Sequence, residues 1–258
     1  MISSAGIRFA FGTLTVLPVR VNRWDRDAAR AGMLWAPLAG LVVGLFAAGI
    51  GGVLTVLGSG PLLAAVATVA VPAALTRGLH LDGLADTADG LGSAKPAEDA
   101  LRIMKQSDIG PFGVITLLLV LLAQVAAVAG LYAAGWAYGA LGAAVSAVTA
   151  RLALTLASRT GIPAARPEGL GAAVAGTVPV RRALAVAALV TAGCAAAGTL
   201  VGGFGGVVHQ ALAVLAGLGA AHLLLRHCVR RFGGVTGDVF GALAETAATV
   251  SLVALTFG

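Results

Sequence analysis

Long apolar blocks alternate with short polar segments along this chain. The blocks lie near 33–57, 61–79, 113–134, 136–157, 183–203, 207–226 and 239–257. Each approaches the ~20 residues that an α-helix needs to cross the hydrocarbon core of a bilayer. The pattern predicts an all-α, polytopic integral membrane helical bundle of about seven transmembrane helices. Three connections, at Gly58-Ser59-Gly60-Pro61, at Gly135 and at Gly203-Phe204-Gly205-Gly206, are short and uncharged. The segments near 80–112 and 158–182 exceed ordinary loop lengths, which marks them as functional loops. The opening stretch, MISSAGIRFAFGTLTVLPVR, lacks the basic start and long apolar run of a cleavable signal. It predicts a short interfacial helix ending near Pro18, within an N-terminal interfacial segment 1–32. No linker or repeat is evident, so 1–258 reads as a single integral membrane domain.

Composition excludes a soluble domain. Hydrophobic residues make up 59% of the chain and charged residues 11%, with a mean hydropathy of +0.96. Soluble domains carry roughly 25% charged residues. The 37 glycines suit helices that approach closely through small side chains. The net charge of +6 has its explanation in topology, not in nucleic acid. When the spans are threaded, all 17 Lys and Arg fall on one side, and the 11 carboxylates lie on that side or just within it. The positive-inside rule makes that side cytoplasmic and puts the C-terminus outside. The expected location is the cytoplasmic (inner) membrane, with the active face toward the cytoplasm. Trp24, Trp35 and Trp136 fit interfacial belts. Cys194 and Cys228 have no metal-ligand spacing and read as unpaired thiols.

Against this background His80-Leu81-Asp82-Gly83-Leu84-Ala85-Asp86-Thr87-Ala88-Asp89-Gly90 stands out. Asp82, Asp86 and Asp89, at i, i+4 and i+7, share one face of a helix. Like charges so placed repel, and near a membrane each is costly to hold. A hard divalent metal bound to a phosphate substrate is the usual occupant of such a face. A second pair, Asp238 and Glu245, also shares a helix face, after the glycine-rich turn Gly233-Gly234-Val235-Thr236-Gly237. Two acidic faces on one side of the bilayer could converge on Mg²⁺ or Mn²⁺. Glu245 could instead be held by Arg151 or a hydroxyl inside the bundle. Arg102 and Lys105, at i and i+3, could hold phosphate oxygens, although topology-setting cations would look the same. Arg166 with Gly169-Leu170-Gly171 offers a further anion-binding loop. His80 offers an acid, a base or a ligand, and equally a helix-end histidine with a local hydrogen bond. His80, Arg102, Lys105, Arg151 and Arg166 are the expected substrate-binding residues. No Walker loop, nucleophile elbow or zinc pattern is present.

HLDGLADTADG, then RIMKQSDIGPFG, then GGVTGDVFGALAE resemble, in that order, the motifs of the cobalamin synthase family, the adenosylcobinamide-GDP ribazoletransferases. The resemblance covers essentially the whole chain. Members often read KDS where this chain has Lys105-Gln106-Ser107, with Asp108 one place later, and often have Gly where Arg77 stands. The resemblance implies a Mg²⁺-dependent membrane phosphotransferase. It would join adenosylcobinamide-GDP to α-ribazole or α-ribazole 5′-phosphate, release GMP and form adenosylcobalamin or its 5′-phosphate. Asp82, Asp86 and Asp89 would be catalytic and metal-binding, with Asp238 and Glu245 as further ligands. The partners expected are those substrates and the lipid bilayer. A homo-oligomer is compatible with the sequence. The aspartate spacing shares its chemical logic with CDP-alcohol phosphotransferases, but their longer signature is absent. A cation-coupled transporter is the competing class. No inverted repeat is visible, and the acids gather on one side instead of at the midplane.

Overall fold

The computed structural model describes residues 4–257, which form helices joined by turns and two isolated β-bridges, with no β-strand among them. The order is α1 (Ser4–Leu14), α2 (Arg26–Val56), α3 (Pro61–Leu75), α4 (Leu79–Gly92), α5 (Ala97–Ile103), α6 (Pro111–Ala134), α7 (Trp136–Ala157), α8 (Gly169–Val174), α9 (Val180–Ala197), α10 (Thr199–Phe232) and α11 (Gly237–Ala254). Six of these, α2, α6, α7, α9, α10 and α11, are long and apolar enough to cross a membrane. The bent pair α3–α4 raises the count to as many as 7. The expected all-α polytopic bundle is what the chain forms.

Two boundaries differ from the hydropathy reading. The first span begins at Arg26, not 33, because Asp25 caps it. Its side chain accepts from the amides of Asp27 (3.1 Å) and Ala28 (3.0 Å), so the charged turn continues the apolar helix. The interfacial segment is correspondingly shorter than 1–32, and its residues 1–3 lie outside the described residues. The chain reverses at Gly202 and Gly203, at the edge of the glycine turn expected at 203–206, and beyond that break α10 runs on to Phe232 instead of ending near 226. At 1.5 Å per residue the segment after the break is about 40 Å long, beyond a ~30 Å core. The turns bearing Arg226, Arg230 and Arg231 therefore stand clear of the hydrocarbon.

Helix α7 forms the centre of the bundle, and Leu152 and Leu154 on it are sealed from solvent. Helix α2 lies against it at backbone range. A Cβ on Gly40 would sit 2.5 Å from the Ala147 carbonyl oxygen, so only glycine permits this approach. Within the bundle, Gln124 of α6 donates from Nε2 to Glu245 Oε2 (2.8 Å) and Thr249 Oγ1 (2.9 Å) of α11.

Between α3 and α4 the chain turns by 87°. Arg77 (φ 54°) and Gly78 (φ 71°) make this turn in the left-handed region, which costs the arginine about 1–2 kcal/mol. After the turn α4 runs across the N-terminal ends of α6 and α11. The Asp89 carboxylate accepts from the amides of Gly110 (2.8 Å) and Gly113 (2.9 Å), capping α6. Gly83 meets the backbone of Asp238, where an added Cβ would lie 2.6 Å from the carbonyl oxygen. Helix α4 thus lies along the charged end of the bundle, outside the crossing segments.

Candidate active site

Because α4 lies against the start of α11, two acidic segments far apart in sequence meet. Asp82 is exposed, and Asp86 and Asp238 are half-buried. Partial burial, followed by the charges of Asp82, Asp238 and Asp89, raises the pKa of Asp86 from 3.8 to about 7. Four carboxylates therefore feel one another. Arg166 donates to Asp238 Oδ2 (3.4 Å) and also to the Leu101 carbonyl, which ties the 158–168 loop over the cluster. Thr236 caps α11 by accepting from the Val239 amide (3.2 Å) and donates to Asp238 Oδ2 (3.1 Å). The loop is stitched to the glycine-rich turn, with the Ala165 amide donating to the Val235 carbonyl (2.9 Å) and the Val235 amide to that of Pro163 (3.0 Å).

Two cavities open on either side of Asp82, which lines both. The larger, about 650 Å³, reaches from Thr13 and Thr15 past the α3–α4 turn to Asp86 and to Ser107-Asp108-Ile109. The smaller, about 450 Å³, is bounded by His80, Lys105, Arg166, Glu168, the Gly169–Gly171 turn and Asp238. His80 is only 3% exposed, and no group bonds its Nε2 among the described residues. Burial, with Arg151 nearby, holds its pKa well below 6.5, so the ring is neutral. Lys105 pairs with Glu168 at 2.9 Å across the mouth.

The structure thus brings Asp82, Asp86, Asp238, His80, Lys105 and Arg166 together, and it uses four other expected residues differently. Both oxygens of Asp89 are occupied in capping α6. Glu245 lies inside the bundle with Gln124, because i+7 on α11 carries it about 10 Å deeper than Asp238. Arg151, 2% exposed, is buried in α7 and lines neither cavity. Arg102 lines neither cavity. It pairs with Asp99 at 2.5 Å and stays exposed.

No three carboxylate, histidine or cysteine side chains among the described residues converge closely enough to ligate one ion unaided. The donor chemistry nonetheless fits Mg²⁺. The ion takes few carboxylates and completes its shell with water and phosphate oxygens. The mutual repulsion at Asp86 is what a cation would relieve. Sequence reasoning missed Gln124, although it is the one amide side chain in the apolar run 111–134. It also missed the hydroxyls of Thr13 and Thr15, which nothing in their local pattern marks.

The fold and site together define a polytopic helical membrane protein with an acidic, cation-rimmed double cavity at one end. Comparison with known proteins narrows the class. The family model described as cobalamin-5-phosphate synthase matches residues 6–256, and the chain belongs to that family. It is 45% identical to an adenosylcobinamide-GDP ribazoletransferase of Frankia casuarinae, over 96% of this chain and 93% of that one. Similar enzymes of that name from a Nocardioides species (42% identical, 96% of each chain) and Bradyrhizobium diazoefficiens (38%, 96% and 92%) also match. No solved structure matches.

Proposed function

We propose that this chain is an adenosylcobinamide-GDP ribazoletransferase acting at the cytoplasmic face of the inner membrane. The observation that carries the reading is the meeting of Asp82, Asp86 and Asp238 where two cavities join, in a chain of this family. The 3′-hydroxyl of α-ribazole, free or 5′-phosphorylated, attacks the phosphorus that bears cobinamide. A new O–P bond forms, the P–O bond to GMP breaks, and GMP leaves with the bonding pair. Asp86, central among the carboxylates and already retentive of a proton near neutrality, accepts the hydroxyl proton. Asp82 and Asp238 would hold Mg²⁺, which when bound supplies charge neutralisation at the diphosphate. Lys105 and Arg166 orient the diphosphate oxygens from the smaller cavity. Aligning hydroxyl and phosphorus and excluding bulk water are the chain's own contributions.

The clustering of cations at one end of the bundle supports a cytoplasmic orientation. The test is release of GMP by purified protein given adenosylcobinamide-GDP and α-ribazole 5′-phosphate. GMP should appear in equal amount to adenosylcobalamin 5′-phosphate, cease in EDTA and return with Mg²⁺. No GMP would refute the reaction, and full turnover in EDTA would refute the metal.

A further inference from the structure

Another cavity, of about 860 Å³, lies away from the acidic cluster, between α2 and α9 and over α7. Its wall is apolar, with Leu38 and Leu41 from α2, Val145 and Val148 from α7, and Leu189 and Val190 from α9. On α9 only Ala183 and Cys194 are buried, so this helix packs loosely and the gap toward α2 stays open. Leu189 is 74% exposed where the cavity opens toward the surrounding hydrocarbon. Arg182 is the one charged side chain that lines it. Thr155 donates to the Met33 carbonyl (2.6 Å), and Val178 pairs through its backbone with Ser158 (3.0 Å) and Thr160 (2.7 Å). These bonds set Trp35 and Arg182 at one level, at the charged end of the bundle. From there the cavity follows α9 to Ala197, a rise of about 22 Å, which exceeds the ~15 Å of hydrocarbon in one leaflet. Arg182 is exposed and forms no ion pair among the described residues. Topology would be served equally by its neighbour Arg181, which does not line the cavity.

We infer that this cavity binds one anionic phospholipid, with the phosphate on Arg182 and an acyl chain laid between α2 and α9. A guanidinium presents paired N–H donors to phosphate oxygens. Trp35, an amphipathic ring at the same level, suits the boundary between headgroup and chain. No carboxylate lines the cavity to neutralise Arg182 or to repel the phosphate. Basic pockets between membrane helices take anionic headgroups on these grounds. A second copy of the chain is the rival occupant. Every copy has the same orientation in the membrane, so a two-fold partner seated on α9 would bring its own Arg181 and Arg182 to the same level. Like charges would then stand side by side, which disfavours that contact. Lipid binding here is independent of the transfer reaction, since the cavity shares no residue with the two at the acidic cluster.

Trp35 lines the cavity and reports occupancy directly, because bromine on an acyl chain quenches an adjacent indole. The test uses the full chain carrying Trp24→Phe and Trp136→Phe, which leaves Trp35 as its one tryptophan. The protein is placed in phosphatidylcholine bilayers holding a small fraction of brominated-chain phosphatidylglycerol or of brominated-chain phosphatidylcholine. Phosphatidylglycerol should quench Trp35 at about 5-fold lower mole fraction, the scale of one arginine on an anionic headgroup. Arg182→Gln should abolish the difference and Arg181→Gln should keep it. Both positions are exposed, so both variants should melt in detergent like the parent. Equal quenching by the two lipids, or a preference that survives Arg182→Gln, would overturn the site. A preference lost alike in both variants would mean diffuse attraction to a basic surface, and would overturn it too. Trp35 quenched by neither lipid would mean that the cavity is closed to lipid, as a second copy seated on it would make it, and the assignment would fall.

Discussion

Replacing Asp86 with asparagine should make the protein more stable and much less active, and the two effects have the same origin. The Asp86 carboxyl ionises at about 7 in the folded chain instead of 3.8, first because it is partly buried and then because Asp82, Asp238 and Asp89 repel its charge. A carboxyl whose folded pKa is raised binds a proton more tightly in the native than in the unfolded state. Stability therefore falls as pH rises from about 4, and the loss is complete above about 7. The full difference would be about 4 kcal/mol. Solvent reaches much of Asp86, so screening brings it to about 1–2 kcal/mol. For a chain of this size that is roughly 2–8 °C in melting temperature. Asp86→Asn should melt higher than the parent by this amount at pH 8 in EDTA, and the gain should vanish near pH 4. Mg²⁺ should raise the parent most above pH 7, where the repulsion it relieves is greatest. Transfer should fall about 10²-fold or more, the scale of losing a transition-state group. Glu98→Gln, on exposed α5, should show neither effect. The measurements are thermal unfolding in detergent across pH and GMP release on the same preparations. An Asp86→Asn protein that melts below the parent at pH 8, or a parent whose stability is flat from pH 4 to 8, would refute the electrostatic argument.

Three further outcomes follow from the geometry. Asp89→Ala should lower stability by about 1–3 kcal/mol, seen as a reduced melting temperature, because two amides at the start of α6 lose their acceptor. Gly83→Ala should cost about 10-fold or more in GMP release, since a methyl there meets the Asp238 backbone and pushes the two acidic helices apart. A cysteine at exposed Lys95 should react with a membrane-impermeant thiol reagent in inverted vesicles but not in intact cells. Cys194 and Cys228 are buried and give little background.

Much of the fold was legible because a membrane span is a one-dimensional signal. The apolar run 136–157 became α7 at the same residues, and 113–134 became α6 with two residues added. The length of α10 was not legible, because its polar last turns leave the bilayer and hydropathy ends where hydrocarbon does. The site was legible in its chemistry more than in its partners. The i, i+4 relation of Asp82 and Asp86 survives in α4, since it depends only on local geometry. That Asp89 would turn to cap α6 depends on where Gly110 lies, a tertiary fact no spacing contains. Arg102 finds a local partner instead, Asp99 one turn earlier in α5, which the spacing to Lys105 did not weigh.

The bond from Gln124 to Glu245 joins residues 121 positions apart, and this bears on how the chain is made. Helix α6 leaves the ribosome long before α11 exists. During that interval its amide lies in the lipid without its final partner, and the buried guanidinium of Arg151 lacks the nearby carboxylate. The last helix thus completes the first ones. A chain truncated before α11 should remain loosely associated in the membrane and be open to quality-control proteolysis, even with every earlier span inserted.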